Sequence, residues 1–491
     1  MHDKGSITAY VSLIMVLMIS LLLTGLYSVQ LAGARVQMVS AVDQGLYSLF
    51  ARYDRTLLER YHLFYIDGSR GQGNMQMGNL FGTMEEDIAR ILFNRVDGNH
   101  NGNIGDLVMQ GGGITGYTLA TDSGGNSVKE QAAAYMKASL GTQGVRLLLE
   151  KSNRDRETAQ NMESAGESIE TGESLEAYDH LKEQAGQEQE SGEGAGKEMV
   201  PPEIPEDFVN PIETVRELKQ QGILSLVLPA GKELSGRTQE LSALVSGRKL
   251  ETGMGIQGIG RNEGGVTEEI LFGEYILQHC GSFRSPQPCE GLAYQVEYIL
   301  QGNHSDIANL KGVVHKLLLM REAANLLHLY QDQAKRAQAQ AAAGVIASFL
   351  LLPQAVPVVE QILLVCWAYA ESILDVRGLL AGEKVPAFKD ASSWQLALSN
   401  IPRLFDGADD LRKNNDKGMT YNDYLRILLG IRNSRQKTEG CLDMMEMGMR
   451  AEEGSRNFRM DCCLYTAEVQ FSFTAGRGNT YEVIRGYGYD M

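Results

Sequence analysis

ITAYVSLIMVLMISLLLTGLYSV, residues 7–29, is the stretch whose reading decides the class of this protein. No charged side chain occurs from Gly5 to Ala34, and the run is apolar almost throughout, with Ile7, Leu13, Leu17, Leu21 and Val29 as its markers. An α-helix rises about 1.5 Å per residue, so roughly 20 such residues cross the ~30 Å hydrocarbon core of a bilayer. Lys4 precedes the run and Arg35 follows it, where their charged heads reach the interfaces. Asp3 offsets Lys4, so charge asymmetry alone does not orient the helix. Three fates compete: a retained anchor, a signal peptide cut near Ala32-Gly33-Ala34, and prepilin-type cleavage after Gly5. The run exceeds the ~7–15 apolar residues of a signal peptide, and the retained anchor is the reading adopted.

Downstream, the apolar positions thin out into a stripe. Val39, Val42, Leu46, Leu49, Tyr53 and Leu57 recur at spacings of three and four, the signature of an amphipathic helix. Only Gly45 interrupts it, and Asp67-Gly68 ends it, so one long helix is expected, in lipid at its start and against a globular body at its end. The other terminus has period two. Cys463, Tyr465, Ala467, Val469, Phe471 and Phe473 alternate with polar residues, Gly476-Arg477-Gly478-Asn479 turns, and Tyr481, Val483, Tyr487 and Tyr489 continue. A lone hairpin is marginal in water. The segment 114–121, with Ile114, Tyr117 and Leu119, is its expected third strand, and the anchor's amphipathic half its expected support.

The opening Gly5-Ser6-Ile7-Thr8 and the Leu-rich run after it resemble TadE- and TadG-type minor pseudopilins of Tad pili. Ser48-Leu49-Phe50-Ala51-Arg52-Tyr53-Asp54, Leu63-Phe64-Tyr65-Ile66-Asp67-Gly68, Tyr117-Thr118-Leu119-Ala120-Thr121-Asp122, Glu297-Tyr298-Ile299-Leu300, Arg321-Glu322-Ala323-Ala324-Asn325 and Trp367-Ala368-Tyr369-Ala370-Glu371-Ser372 extend the match. Together they resemble a Gram-positive domain-of-unknown-function family of single-pass membrane proteins found beside Tad-like pilus genes. Processed pilins carry Glu five residues after the cleavage Gly; Tyr10 stands there in this chain. The resemblance implies a head outside the cell and pilus or secretion-apparatus subunits as partners.

Between the termini, the expected class is α+β and mostly helical. Residues 1–34 are the transmembrane anchor, and 35–149 the amphipathic helix with the first part of an α+β head. Residues 150–205, rich in Glu, Gln, Ser and Gly and closed by Pro201, Pro202 and Pro205, read as an acidic disordered linker. A helical domain is expected over 206–460, and a hairpin returning to the head over 461–491. Residues 337–359 are also free of charge, but Pro353 and Pro357 interrupt them, so a core helix is expected there rather than a second span.

Chemistry-bearing motifs are sparse. Asp97, Asn99 and Asn101 stand at positions 1, 3 and 5 of an EF-hand-like calcium loop, yet Val108 occupies the twelfth position, where a bidentate carboxylate belongs. An Asn/Gly-rich turn is the simpler reading. Residues 253–258 fit GxGxxG without a strand leading in, and Ser246-Gly247-Arg248-Lys249 fits SxxK without companion motifs. Glu371 and Asp375 share a helix face, and a structural pairing with Arg321 or Arg377 is favoured over acid–base work. His315 and His328 read as ordinary helix residues. Cys280 and Cys289 flank a Pro-containing loop and would bridge in an oxidising compartment, Cys366 reads as a buried free thiol, and Cys462 and Cys463 point to opposite faces of a strand. No cofactor is implied. The net charge of −17 and the lack of a Lys/Arg cluster argue against nucleic acid. The expectation is a structural or assembly component in the cell membrane, its C-terminal domain extracytoplasmic, partnered by lipid and apparatus subunits. The alternative is a tethered envelope enzyme or ligand-binding protein that works through its helical region.

Overall fold

Helix α1, Asp3–Phe50, is continuous, and at 1.5 Å per residue extends about 70 Å. It belongs to a computed structural model that describes residues 3–93, 107–166, 171–191, 209–255, 265–287, 291–412, 417–476 and 478–489. The chain divides into two units, one of Met1–Tyr135, Ser242–Gly265 and Met445–Met491, the other of Met136–Leu241 and Val266–Met444. The fold is α+β and mostly helical.

In the first unit, α1 changes character along its length. Up to Val29 its large apolar side chains stand exposed, and Ser12, Ser20 and Thr24 turn their hydroxyls back onto the carbonyls of Ala9, Leu17 and Ser20. From there a stripe at three- and four-residue spacing is buried: Ala34, Met38, Ala41, Val42, Leu46 and Leu49. The helix ends at Phe50, earlier than its periodicity suggests. Asp54 caps a separate helix α2, Arg55–Tyr61, by accepting from the Leu57 N–H at 2.8 Å, and its own N–H donates to Tyr65 O. A cap inside a periodic run therefore splits the expected single helix, and the Leu57 of the stripe belongs to α2. Helix α3, Met77–Phe93, packs on α1 where Gly45 leaves room for Ile88.

The sheet is built around the C-terminal strand. Strands β1 (Ile66–Asp67), β2 (Val108–Leu119), β3 (Cys463–Ala475) and β4 (Asn479–Gly488) form one antiparallel sheet in which β3 pairs with all three others. The register sets Ile114 opposite Val469 and Gly112 opposite Phe471, while Phe473 faces Tyr481 across the hairpin. Ala467, Val469, Phe471, Phe473 and Ala475 point into the core, and Glu468, Gln470, Ser472 and Thr474 alternate on the wetter face. Val469 and Phe471 share that core with Leu46 and Leu49 of α1, as the two apolar stripes require; Tyr53 instead packs edge-on against Phe64. Tyr489 ties the end of β4 to the end of α1 by donating to Phe50 O. Strand β2 begins six residues before the expected start, at Val108. Its Gly111-Gly112-Gly113 reads as loop by composition, yet pairing with Ser472, Phe471 and Gln470 of β3 holds it extended.

The second unit is helical. Helices α4 (Asn126–Gly166, which starts in the first unit's sequence) and α5 (Thr171–Ser191) occupy most of the stretch expected to be an acidic linker. Its Glu, Gln, Ala and Lys are good helix formers, Leu175, Tyr178 and Ala185 give α5 a buried stripe, and α5 packs on the long helix Val356–Ala381. Met162 of α4 is buried as well. The remainder of that expected linker, residues 167–170 and 192–205, lies outside the described residues. Helices α6 (Pro211–Gln220), α7 (Ile223–Val227), α8 (Val266–His279), α9 (Gln295–Gln301), α10 (Asp306–Gln331), α11 (Gln333–Phe349), α12 (Val356–Ala381), α13 (Leu404–Leu411), α14 (Tyr421–Ile431) and α15 (Ser434–Arg450) follow. Helix α12 is the axis, buried from Val359 almost to its end and packed by α5, α6, α10 and α11. The uncharged residues 337–359 are divided between α11 and α12 at Pro353. Residues 242–255 and 445–460, expected within the helical domain, belong to the first unit.

Candidate functional site

The feature with the largest unmet surface is the first half of α1. Ile7, Leu13, Leu17, Leu21 and Val29 are 59–74% exposed, although a soluble fold would bury them. The helix is long and apolar enough to cross a membrane, and its most apolar window has no buried residues. The hydroxyls of Ser12, Ser20 and Thr24 are satisfied within the helix, as a hydrocarbon environment demands.

The second unit concentrates its charge at the middle of α12. Arg321 reaches across from α10, and its Nε and Nη2 meet Asp375 Oδ2 at 3.1 and 3.0 Å. Its Nη1 donates to the carbonyls of Pro386 and Ala387 and to the Tyr424 hydroxyl. Lys389 binds both carboxylates, Glu371 directly and Asp375 Oδ1 at 2.6 Å. Asn325 and Gln395 side chains donate to Asp375, and the N–H groups of Gln395 and Leu396 donate to Glu371. Arg321, Glu371 and Asp375 have no exposed surface. Burial raises the Glu371 carboxyl above its usual range despite Lys389, whereas at Asp375 Lys389 and Arg321 outweigh burial and hold it low. Every carboxylate oxygen accepts from the protein itself, so the four charged side chains form a closed, hydrogen-bonded ion network. Sequence anticipated the Arg321 partnership; Arg377 instead donates to Leu226 O. Lys389 was missed because it lies in an irregular segment where no periodicity marks it.

A second buried network lies in the first unit. Arg248 meets Glu446 and Asp461, both fully buried, and Arg450 and Arg459 complete it. The SxxK-like Ser246–Lys249 stretch is therefore a structural clamp through its arginine. It holds the chain so that Met254 forms a one-residue antiparallel bridge with Tyr117 on the edge of β2, with N–O distances of 2.7 and 2.9 Å. Gly255, at φ +79°, passes so near the Thr115 carbonyl that a Cβ would collide with it. The first two glycines of the GxGxxG match thus serve strand docking, and the third, Gly258, lies outside the described residues.

Glu297 on α9 is fully buried. Its Oε1 accepts from Phe283 N–H and from the Tyr421 hydroxyl at 2.7 Å, and its buried Oε2 has no partner among the described residues. Burial pushes its pKa up to about 7, against the pull of those hydrogen bonds. His328 stacks on Trp394, and burial lowers its pKa; His315 is exposed.

The remaining sequence candidates resolve as follows. Asp97, Asn99 and Asn101 lie outside the described residues, as does Cys289. Cys280 is a free, buried thiol in hydrogen-bond contact with Cys441 of α15. Cys366, Cys462 and Cys463 are free and buried, and burial raises each thiol. Among the described residues, no group of three or more His, Cys, Asp or Glu side chains is arranged to hold a metal ion.

No curated protein and no solved structure matches the chain. A family match runs over residues 202–475, more than half of the sequence, and by it the chain belongs to the family of unknown function DUF5702.

Proposed function

We propose that this protein is a membrane-anchored structural or assembly component of the cell envelope, with a role like that of a minor pseudopilin in a Tad-type pilus or secretion system. The observation that carries the reading is α1: one unbroken helix, bare and apolar in its first half and built into a four-stranded sheet in its second. In that reading the span is single-pass, both folded units are extracytoplasmic, and the partners are lipid and apparatus subunits, without nucleic acid. The closed state of the Glu371–Asp375–Arg321–Lys389 network favours this over a tethered enzyme working through the helical region. Crosslinking and affinity purification from native membranes should recover pilus or secretion-apparatus subunits; recovery of none of them sinks the assembly role. Topology is tested separately with a cysteine at Ser191, which should react with an impermeant thiol reagent in intact cells. Labelling only after lysis would overturn the extracytoplasmic assignment.

A further inference from the structure

Cover on α1 begins before its buried stripe does, inside the last turn of the apolar run. Counting about 20 residues from Ile7 for the ~30 Å core brings the end of the span to Leu26. The next residue, Tyr27, is half-buried while its neighbours are exposed, and what covers it is the turn between β3 and β4. The Asn479 side-chain amide donates to the Tyr27 hydroxyl at 3.1 Å. At Gly476, φ +62°, an added Cβ would sit 2.9 Å from the same hydroxyl, so the turn is closed down onto the helix there. Two helical turns further on, the guanidinium of Arg35 lies 4.8 Å over the ring of Tyr481, leaving its charge on the solvent side. Beyond it, Arg485 pairs with Asp43 at 3.2 Å. The hairpin therefore runs along α1 with its turn at the lipid end.

The chemistry at that end suits a headgroup layer. Two tyrosines and an arginine follow directly on the apolar span, the residue types that settle at membrane–water interfaces. Gly476, Gly478, Asn479 and Thr480 are exposed and uncharged, and the one charge in the turn sequence, Arg477, is a cation of the kind that settles among headgroup phosphates. Val108, at the start of β2 and paired with Thr474 beside the turn, is 51% exposed, an apolar side chain at the sheet's membrane end.

We propose that the β3–β4 turn, with Tyr27, Arg35, Tyr481 and Val108, is a second membrane contact, seated in the lipid headgroup layer beside the α1 span. This rests on the anchor reading above and adds that the head is held upright at a fixed height, by the sheet as well as by the helix. A free head on a helical tether would tilt; one braced at two points on the surface has far fewer orientations.

The test is photocrosslinking of the full chain in phospholipid nanodiscs, with a benzophenone side chain placed in turn at Leu17, Thr480 and Ile484. Ile484 is 50% exposed and, at about 3.4 Å per residue, some 14 Å further along β4 than Thr480. Lipid adducts at Leu17 and Thr480 but not at Ile484 are expected. Adducts at Leu17 alone would overturn the turn contact and leave the anchor standing. Adducts at all three would also overturn it, since the head would then lie flat on the bilayer. No adduct at Leu17 would overturn the anchor itself, and the turn contact with it.

Discussion

Helices α1 and α12 have nearly the same credentials and opposite fates. Both are long and apolar enough to cross a membrane, yet the most apolar window of α1 is wholly exposed and 78% of the corresponding window of α12 is buried. What separates them is where charge falls. In α1 the charge-free run is continuous from Gly5 to Ala34, and the hydroxyls of Ser12, Ser20 and Thr24 bond within the helix. Helix α12 carries Glu360, Glu371, Asp375 and Arg377, and the two acids at its centre are matched by a cation from α10 and another from the loop after α12. Hydropathy says only that a helix must be covered. Ionised groups with built-in partners say that protein covers it.

One substitution made in both helices would break or sharpen this contrast most. Leu364 is fully buried, so Leu364→Arg places an unpaired cation in the core of the helical unit, and a loss above about 4 kcal/mol is expected. Both tryptophans, Trp367 and Trp394, lie in that unit, so their fluorescence during urea unfolding of detergent-solubilised protein reports on it alone. Leu17→Arg should leave that unfolding curve unchanged and instead shift protein out of the membrane fraction, since a central arginine costs roughly 2.5–3.5 kcal/mol on insertion scales. If Leu17→Arg destabilised the tryptophan-bearing unit, or Leu364→Arg did not, the two helices would have been assigned the wrong environments.

A smaller effect probes why α12 is not a span. Asp375→Ala strands Arg321 and Lys389 in the core with one fewer carboxylate, and breaking a buried pair in this way costs about 3–5 kcal/mol. The same fluorescence measurement reads it. A cost below about 1 kcal/mol would mean that water reaches the network, which would reopen the ligand-binding alternative.

The third prediction uses the sign of a pKa shift. Glu297 sits near pKa 7 when folded, against an ordinary 4.5, so the native state holds a proton that the unfolded chain has lost between those values. The associated stability is complete below about pH 4.5 and declines as pH rises towards 7, by about 3 kcal/mol in total. Glu297→Gln keeps the hydrogen bonds from Phe283 and Tyr421 without an ionisable group, so its stability should be the flatter function of pH and should exceed that of the parent at pH 8. Parallel pH profiles for the two proteins would show that Glu297 ionises normally.

The parts of this fold that were legible share a property: their pattern is carried by side chains against a fixed period. The charge-free run, the α1 stripe and the alternation of β3 could be read because burial acts on one face at a time. Strand β2 hid its first half because Gly111-Gly112-Gly113 has no side chains to alternate. Helix α5 was masked by composition: Leu175, Tyr178 and Ala185 are few among many polar residues, but a short buried stripe suffices once the helix packs on α12. At the buried networks, sequence located Glu371, Asp375 and Arg321 through their improbability on apolar helices. Lys389 and Arg248 come from irregular chain, where a charged residue is unremarkable until the fold surrounds it.

The smallest expected effect lies at the end of α1, where periodicity continues through a break. Helix α1 stops at Phe50 and α2 starts at Arg55 because the Asp54 carboxylate accepts from the Leu57 N–H. Asp54→Ala should cost about 1 kcal/mol, the usual value of an N-cap, and hydrogen exchange of the α2 amides should quicken by roughly fivefold. Asp54→Asn retains an acceptor and should not show that loss. The charge itself works against the fold: burial, with some help from Asp67, raises the Asp54 pKa despite the Leu57 hydrogen bond. Its neutral form is thus favoured in the native state, and stability is lost as pH rises through the raised pKa from the ordinary 3.8. Asp54→Asn should therefore match or exceed the parent at neutral pH and lose the advantage in acid. If Asp54→Ala were instead neutral, the break after Phe50 would owe nothing to the cap, and the turn that brings β1 back to β3 would have to be held by Leu57 and Tyr61 packing alone.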